Sequence, residues 1–374
     1  MSKSKSFTPV HALIKKKRRV ITRHAPGTKP GTILAPKHAE TTVINLISYN
    51  EKEVIHKNNI SVNEIADFIH PHFVTWISVT GLSNTDKIKE LGRFFNIHPL
   101  ALEDVTNVHQ RPKTDQYENA EFIVARLDQV TPTVKDEQIS FFLGPNYLIS
   151  FLETPNDIFS KTLTRIENPQ SVIRHLGADY LLYELLDTVI DCYFPVLQTY
   201  GDAIDELENE TIKHPAPNIL SNIHKIKHNL VEFKRDVWSL RNALANLYRG
   251  ENEIIKAKTQ VYFRDSYDHT VQIIDIIEGT LDRSSSLVDI YLSSTANRLN
   301  EIMKFLTVLS TIFMPMGFLA SLWGMNFNTT RSPWNMPELN AYYGYPCALL
   351  FMFIISLGLI FYFWRRGWIG KSKK

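Results

Sequence analysis

Cysteine is nearly absent: Cys192 and Cys347 are the only two in 374 residues, which excludes a disulfide framework and a CxxC metal site. There is no Walker loop, no GxSxG elbow and no HExxH helix. The motifs that carry phosphoryl transfer, acyl transfer and zinc hydrolysis are therefore missing, and an enzyme is not expected. Net charge is also missing, at +2 overall, so global charge gives no argument for a nucleic-acid partner, and none is expected. Locally the balance differs. From Ser2 to Ala39 there are ten Lys or Arg and no acidic residue. No apolar stretch follows these basic residues as in a secretory signal, and the Pro, Gly, Ser and Lys content predicts a disordered, solvated tail over residues 1–40.

A second absence organises the chain. Between Lys304 and Arg331 there is no ionisable side chain, and Phe305 to Trp323 is a run of 19 apolar or small residues. At 1.5 Å per residue that run spans a hydrocarbon core of roughly 30 Å. A second apolar run, Tyr345 to Trp364, follows a short loop and ends in Arg365, Arg366, Lys371, Lys373 and Lys374. Two membrane helices are expected, the first over 305–326 and the second over 345–364, with an outer loop over 327–344 and a basic end over 365–374. The basic end belongs in the cytosol by the positive-inside rule, and two spans then place both termini there, in a multi-pass protein of the cell membrane in contact with lipid.

Upstream, residues 41–175 alternate β-rich and helical stretches. VINLISYN, VTWISVTGL, FIVARLDQV, ISFFLG and YLISFLE read as strands, and SVNEIADFI and NTDKIKELGRFF as helices. Pro145 and Asn146 mark a hairpin. The class is α+β: an N-terminal α/β domain with a mixed sheet, then helices. Residues 176–250 carry one helical stretch from Ala178, closed by Pro215 and Pro217, and another from Ile219 to Leu247. A stalk helix over 251–304 runs on into the first span, and the stretch uninterrupted from about Asp265 is about 59 residues long if helical to Trp323. Glu103, Asp104, His109, Arg111 and Lys113 read as a charged surface turn, and His70 and His72 around Pro71 as a strand-entry turn lacking two further metal ligands. The carboxylates from Asp202 to Glu210 read mainly as a solvated face.

One face of the long helix is distinctive. Asp289, Ser293, Ala296, Asn300, Met303, Leu306, Ser310, Met314, Gly317, Ser321 and Gly324 follow at steps averaging 3.5 residues. These positions are polar, small or flexible. Such a stripe suits parallel copies around an axis, and equally a close two-helix packing interface. Pro315 frees the carbonyl of Thr311, which is tolerable beside other helices or a wet cavity.

The tripeptide Gly324, Met325, Asn326 at the end of the first span, with FMP (Phe313 to Pro315) before it and MPEL (Met336 to Leu339) after it, resembles the CorA family of divalent-cation channels. The resemblance extends through DIYLSS (Asp289 to Ser294), YFRDSYDH (Tyr262 to His269) and HPLALEDVTNVHQRPK (His98 to Lys113). It implies a funnel-shaped homopentamer that takes up Mg²⁺, with Co²⁺ or Ni²⁺ as further ions, driven by the electrochemical gradient and without a small-molecule substrate. The helical pair would lie antiparallel. Gly324, Met325 and Asn326 would form the pore mouth; Asn300, Met303, Leu306, Thr307, Ser310, Met314, Gly317 and Ser321 would line the pore, with Met303, Leu306 and Met314 as a hydrophobic gate. Asp289 would face Asp104, beside Glu103, across a subunit contact as a regulatory Mg²⁺ site. Gly317 departs from the pattern, since family members often carry Thr there. Neutral amide and hydroxyl oxygens suit a hydrated Mg²⁺, and no His, Cys or carboxylate lies within the bilayer part of the stripe to favour a softer metal. Two other readings remain open: a zinc transporter of the related ZntB group, and a membrane-anchored cation sensor that does not conduct.

Overall fold

The computed structural model describes residues 27–36, 39–128, 136–250, 254–328 and 330–370. Most of the expected basic tail, and Lys371, Lys373 and Lys374, lie outside the described residues. The chain divides into two compact units, Met1–Val288 and Asp289–Lys374.

The first unit is built on a seven-stranded mixed sheet in the order β2-β1-β3-β7-β6-β5-β4. The strands are β1 Val43–Tyr49, β2 Val54–Lys57, β3 Val74–Thr80, β4 Lys113–Tyr117, β5 Ala120–Leu127, β6 Glu137–Leu143 and β7 Tyr147–Leu152. Among the described residues only β3 and β7 pair in parallel; the other neighbours are antiparallel. β5 and β6 are buried along their whole length, as central strands covered on both faces must be. Alternation assigns the faces. Leu46, Ile77, Val79, Phe122, Val124, Ile149 and Phe151 join one cluster with Ile88, Leu91, Leu102 and Val105, which belong to α2 (Thr85–Phe94) and α3 (Pro99–Thr106) beyond the short α1 (Val62–Ile65). Trp76 lies on β3 on the opposite face and donates from Nε1 to Ser150 Oγ at 3.0 Å. After α4 (Ser160–Glu167), α5 (Ala178–Asp191) packs on β3, β5, β6 and β7.

Sequence signals explain the ends. Asn84 Oδ1 accepts from the amides of Asp86 and Lys87 to start α2, and His98 caps α3 with Pro99 at its first position. The stretch from Glu103 to Lys113 is therefore not a single turn: Glu103 and Asp104 lie on α3, whose Leu102 and Val105 are buried, and Lys113 opens β4. The helical stretch from Ala178 is also two helices, because α5 ends at Asp191 and α6 (Tyr193–Lys213) starts afresh. Pro195 supplies the reason, since it has no amide to continue the ladder. Tyr193, buried, pins the restart by donating its hydroxyl to Arg126 O at 2.6 Å.

α7 (Pro217–Arg249) follows α6 after three residues, His214 to Ala216, and packs back along it. α8 (Ala257–Trp323) is a single helix of 67 residues. Within the first unit it is tied to its neighbours by Lys234–Glu278 at 2.7 Å, by Lys227 Nζ donating to Ser285 Oγ at 2.9 Å, and by Arg283 to Asp205. Part of the acidic face on α6 is thus paired rather than solvated. The second unit holds the end of α8, a 3-10 turn (Pro337–Asn340) and α9 (Gly344–Arg365).

Gly81 closes the sheet at a point no side chain fits. Its φ is +79°, and a Cβ there would lie 2.3 Å from Thr41 O. Gly81→Ala is expected to destabilise the protein by about 2–4 kcal/mol through left-handed strain and a backbone clash, read as a lowered midpoint in thermal or denaturant unfolding of the detergent-solubilised chain.

Candidate functional site

The two apolar helices are not the core of a soluble fold. In each, only 6% of the most apolar 18-residue window is buried, at mean hydropathy 1.8 for α8 and 2.4 for α9. Water would not tolerate that much exposed apolar surface, so the surface calls for lipid or other chains.

The stripe and the helix partner sit on different sides of α8. Ser356 Oγ of α9 donates to Met316 Sδ at 3.1 Å, and Val308, about two turns earlier on that side, is 8% exposed. Lys304 Nζ donates to Gly367 O at 3.1 Å and lies over the Trp368 ring. At 100° per residue, Met303, Leu306, Ser310, Met314, Gly317 and Ser321 point to roughly the opposite side from Val308 and Met316. Met303, Leu306 and Met314 are 64%, 59% and 73% exposed. α9 thus leaves the stripe uncovered. Asn300 and Thr307 are exposed as well. The Thr307 hydroxyl donates to Met303 O at 2.8 Å, so its free lone pairs face outward as acceptors. Pro315 lies inside α8 without interrupting it.

The helix ends at the GMN tripeptide. Gly324 N donates to Ala320 O at 2.9 Å and Met325 N to Leu322 O at 3.3 Å. A Cβ on Gly324 would come within 3.3 Å of Ala320 O, so glycine lets the last turn tighten before Asn326 emerges, exposed. The loop beyond is folded. Asn335 Nδ2 donates to Asn328 O at 2.7 Å, and Gly344 meets Glu338 O so closely that a Cβ would lie 2.1 Å away.

Two of the three carboxylates that the resemblance assigns to a regulatory site have partners within the first unit. Asp104 accepts from Lys113 at 2.7 Å, and Lys113 also pairs with Asp115. Partial burial alone would lower the Lys113 pKa; hydrogen bonds to the two carboxylates outweigh it and raise it. Glu103 Oε2 accepts from Gly31 N at 2.6 Å. That bond corrects the expected tail, because Gly31, within residues 1–40, is docked on α3. Neither Lys113 nor Gly31 was legible as a partner, since both contacts join residues distant in the chain or across a turn. Asp289, exposed, belongs to the second unit. Among the described residues of one chain, no group of three or more His, Cys, Asp or Glu is placed to hold a metal. His109 and Arg111 join no such group, and His70 and His72 flank a turn leading into β3, as expected.

A polar ladder runs beneath α3. Gln138 Nε2 donates to Asp104 O at 2.8 Å, and Gln138 N donates to Glu153 Oε1 at 2.6 Å. Burial pushes the Glu153 pKa up to about 7, against the opposing hydrogen bond from Gln138, with Glu137 adding to the rise.

A large sheet-and-helix unit followed by two exposed apolar helices defines a membrane protein with two spans and a large non-membrane part. The family model described as "CorA-like Mg2+ transporter protein" matches residues 73–366, and the chain belongs to the CorA family. The cobalt/magnesium transport protein CorA of Thermotoga maritima is 40% identical over 347 residues, covering 92% of this chain and 97% of that protein. The CorA magnesium transporter structure from Methanocaldococcus jannaschii matches with a TM-score of 0.71 at 20% identity, over 88% of this chain and 98% of that one. The cytoplasmic domain of ZntB from Vibrio parahaemolyticus matches with a TM-score of 0.54 at 14% identity, over 68% of this chain, which is a likeness of fold alone. The balance favours a CorA-type transporter over the zinc reading.

The Glu153 pKa sets a pH dependence. A folded value of about 7, above an unfolded value of about 4.3, means a stabilising contribution that is complete below pH ~4.3 and lost as pH rises to about 7. Glu153→Gln is expected to remove about 3 kcal/mol of that decline, read as a flatter unfolding midpoint between pH 4.5 and 7.5.

Proposed function

We propose that several copies of this chain surround an axis with their α8 stripes and conduct Mg²⁺ into the cell, Co²⁺ and Ni²⁺ being further candidate ions. The observation that carries this reading is the exposed stripe, lying opposite the face that α9 covers and leading directly to Asn326. A ring of Asn326 amides presents neutral oxygens that bind the water shell of the ion without trapping a dication. Asn300, Thr307, Ser310 and Ser321 supply further oxygens. Met303, Leu306 and Met314 supply narrow apolar rings that close by excluding water. At 100 mV the potential contributes about 4.6 kcal/mol per dication, twice the single-charge value, so inward flux needs no ATP site. Arg365 and Arg366 support a cytosolic basic end, and with it cytosolic termini. The 40% identity to a protein named for cobalt and magnesium transport supports the choice of ions.

The regulatory part of the reading joins Asp104 and Asp289 of adjacent copies, with Glu103 beside them. Carboxylate oxygens are the hard donors Mg²⁺ prefers, and a cation between facing carboxylates relieves their repulsion. In one chain Asp104 is already held by Lys113, so the site is complete only when a second chain brings its own carboxylate.

Asn326→Ala is expected to lower Mg²⁺ flux into vesicles loaded with a Mg²⁺-sensitive dye at least tenfold, with membrane insertion and assembly unchanged; undiminished flux would show that the mouth amide does not recognise the ion. The same vesicles with Co²⁺ and Zn²⁺ outside compare the ions. Asp104→Asn combined with Asp289→Asn should leave flux running at internal Mg²⁺ levels that shut the unaltered protein. Closure at the same internal concentration would dismiss the regulatory pair.

A further inference from the structure

At one end of the sheet, β1 runs out into Asn50–Lys52, β3 begins after Pro71–Phe73, and the β6–β7 hairpin turns at Pro145–Asn146. A cleft of about 570 Å³ opens there, bounded on its far side by Arg174–Ala178 and by Lys256, Lys258 and Thr259 at the start of α8. Its charge is one-sided. Lys52, Arg174, Lys256 and Lys258 line it against one carboxylate, Glu51, which is directed at His175 Nδ1, 3.4 Å away. The acids behind the wall are engaged: Asp179 accepts from Lys256 N at 3.1 Å, and Glu184 from Arg165 and from the Tyr180 hydroxyl. Gly177 lets Asp179 and Lys256 approach closely, since a Cβ there would stand 2.6 Å from Asp179 Oδ1 and 2.9 Å from Lys256 Nζ.

Two buried donors on this wall have no partner. Arg174, 4% exposed, donates from Nε to Asn50 O and from Nη1 to Ile166 O, while its Nη2 is unbonded. The Tyr49 hydroxyl, on a residue 0% exposed, is unbonded as well. Buried donors are rarely left orphaned, because desolvation without a bond is costly. Burial, with the Glu184 and Asp179 charges, also holds the Tyr49 phenol well above its ordinary pKa, so the group keeps its proton and can only donate or accept as a hydroxyl.

We propose that this cleft binds a phosphate-bearing anion, with Arg174 Nη2 and the Tyr49 hydroxyl as the buried donors and Lys52, Lys256 and Lys258 as the outer cations. Guanidinium and ammonium groups around a concave wall match phosphate oxygens and repel a dication. The volume falls within the roughly 300–1,000 Å³ of small organic ligand sites, well above what orthophosphate fills. Pro71, Phe73 and Pro145 add apolar surface beside the charges. The ligand is therefore a polyphosphate of about nucleotide size. This inference stands apart from ion conduction and does not depend on it.

Calorimetric titration of the full chain in detergent with EDTA, using pyrophosphate, ATP, orthophosphate and sulfate in turn, tests it. Pyrophosphate, ATP or both should bind at least tenfold more tightly than sulfate. Lys256→Gln with Lys258→Gln, both exposed side chains, should weaken that binding at least tenfold. Tyr49→Phe should weaken it severalfold while leaving the ligand-free unfolding midpoint unchanged or higher. Lys213→Gln with Lys225→Gln, remote exposed lysines on α6 and α7, should change nothing. Polyphosphates no tighter than sulfate, full affinity in the Lys256 and Lys258 variant, or equal loss in the remote variant would each overturn the assignment.

Discussion

The constraint on which the structure depends is that α8 carries more apolar surface than its own chain can cover. α9 takes one side, through Met316 and Val308, and leaves Met303, Leu306, Phe313, Met314 and Phe318 exposed. Lipid tails suit the flanks. They do not suit Asn300, Thr307, Ser310 and Ser321, whose oxygens find no partner in hydrocarbon. On the proposed reading, a face carrying both kinds of residue is satisfied by further copies of itself around water.

The first unit makes such a helix affordable. Its own α8 segment is held by α5, α6 and α7 through Ser266 to Asp187, Arg283 to Asp205 and Lys234 to Glu278, and through buried Phe263, Ile273, Ile277 and Leu287. Packing of one side on neighbouring helices supplies most of the stability of this segment. The partly exposed ion pairs add little stability individually. Their value is positional, because they fix the rotation of this segment of α8 against α6 and α7.

Much of this was legible in the sequence, for a local reason. The spans announce themselves by missing charge, the central strands by β-branched runs, and the loops by Pro and Asn. The edge strands were not legible: Val54–Lys57 is four residues long, and Lys113–Tyr117 carries a Lys and an Asp, features that protect an edge from pairing with other chains and blur its periodicity. The break at Cys192 was hidden because apolar spacing continues across it, although Pro195 was the available signal. The stripe was legible as a pattern, but which side α9 would cover was not, since α9 is apolar all round and its pairing is decided by contacts such as Ser356 to Met316. The same holds for Asp104 and Glu103, whose partners Lys113 and Gly31 are chosen by tertiary packing.

The stripe also constrains how an ion would cross. Ser310 and Ser321 are 11 residues apart, about 16 Å along a helix, and between them the stripe offers only Met314 and Gly317. The Thr that the resemblance leads one to expect at Gly317 would have divided that interval with an oxygen. Space is not the reason it is missing, because a Cβ at Gly317 would meet nothing within 4 Å. An interval this long without side-chain oxygens cannot hold a stripped Mg²⁺, whose water is bound too strongly to give up without replacement. It can pass an ion that brings its water along, provided the methionine rings move apart far enough to wet. On the proposed reading, conduction through this chain rests on widening the axis rather than on a sequence of coordinating sites, and the absence of charge on the stripe from Met303 to Gly324 follows from the same requirement.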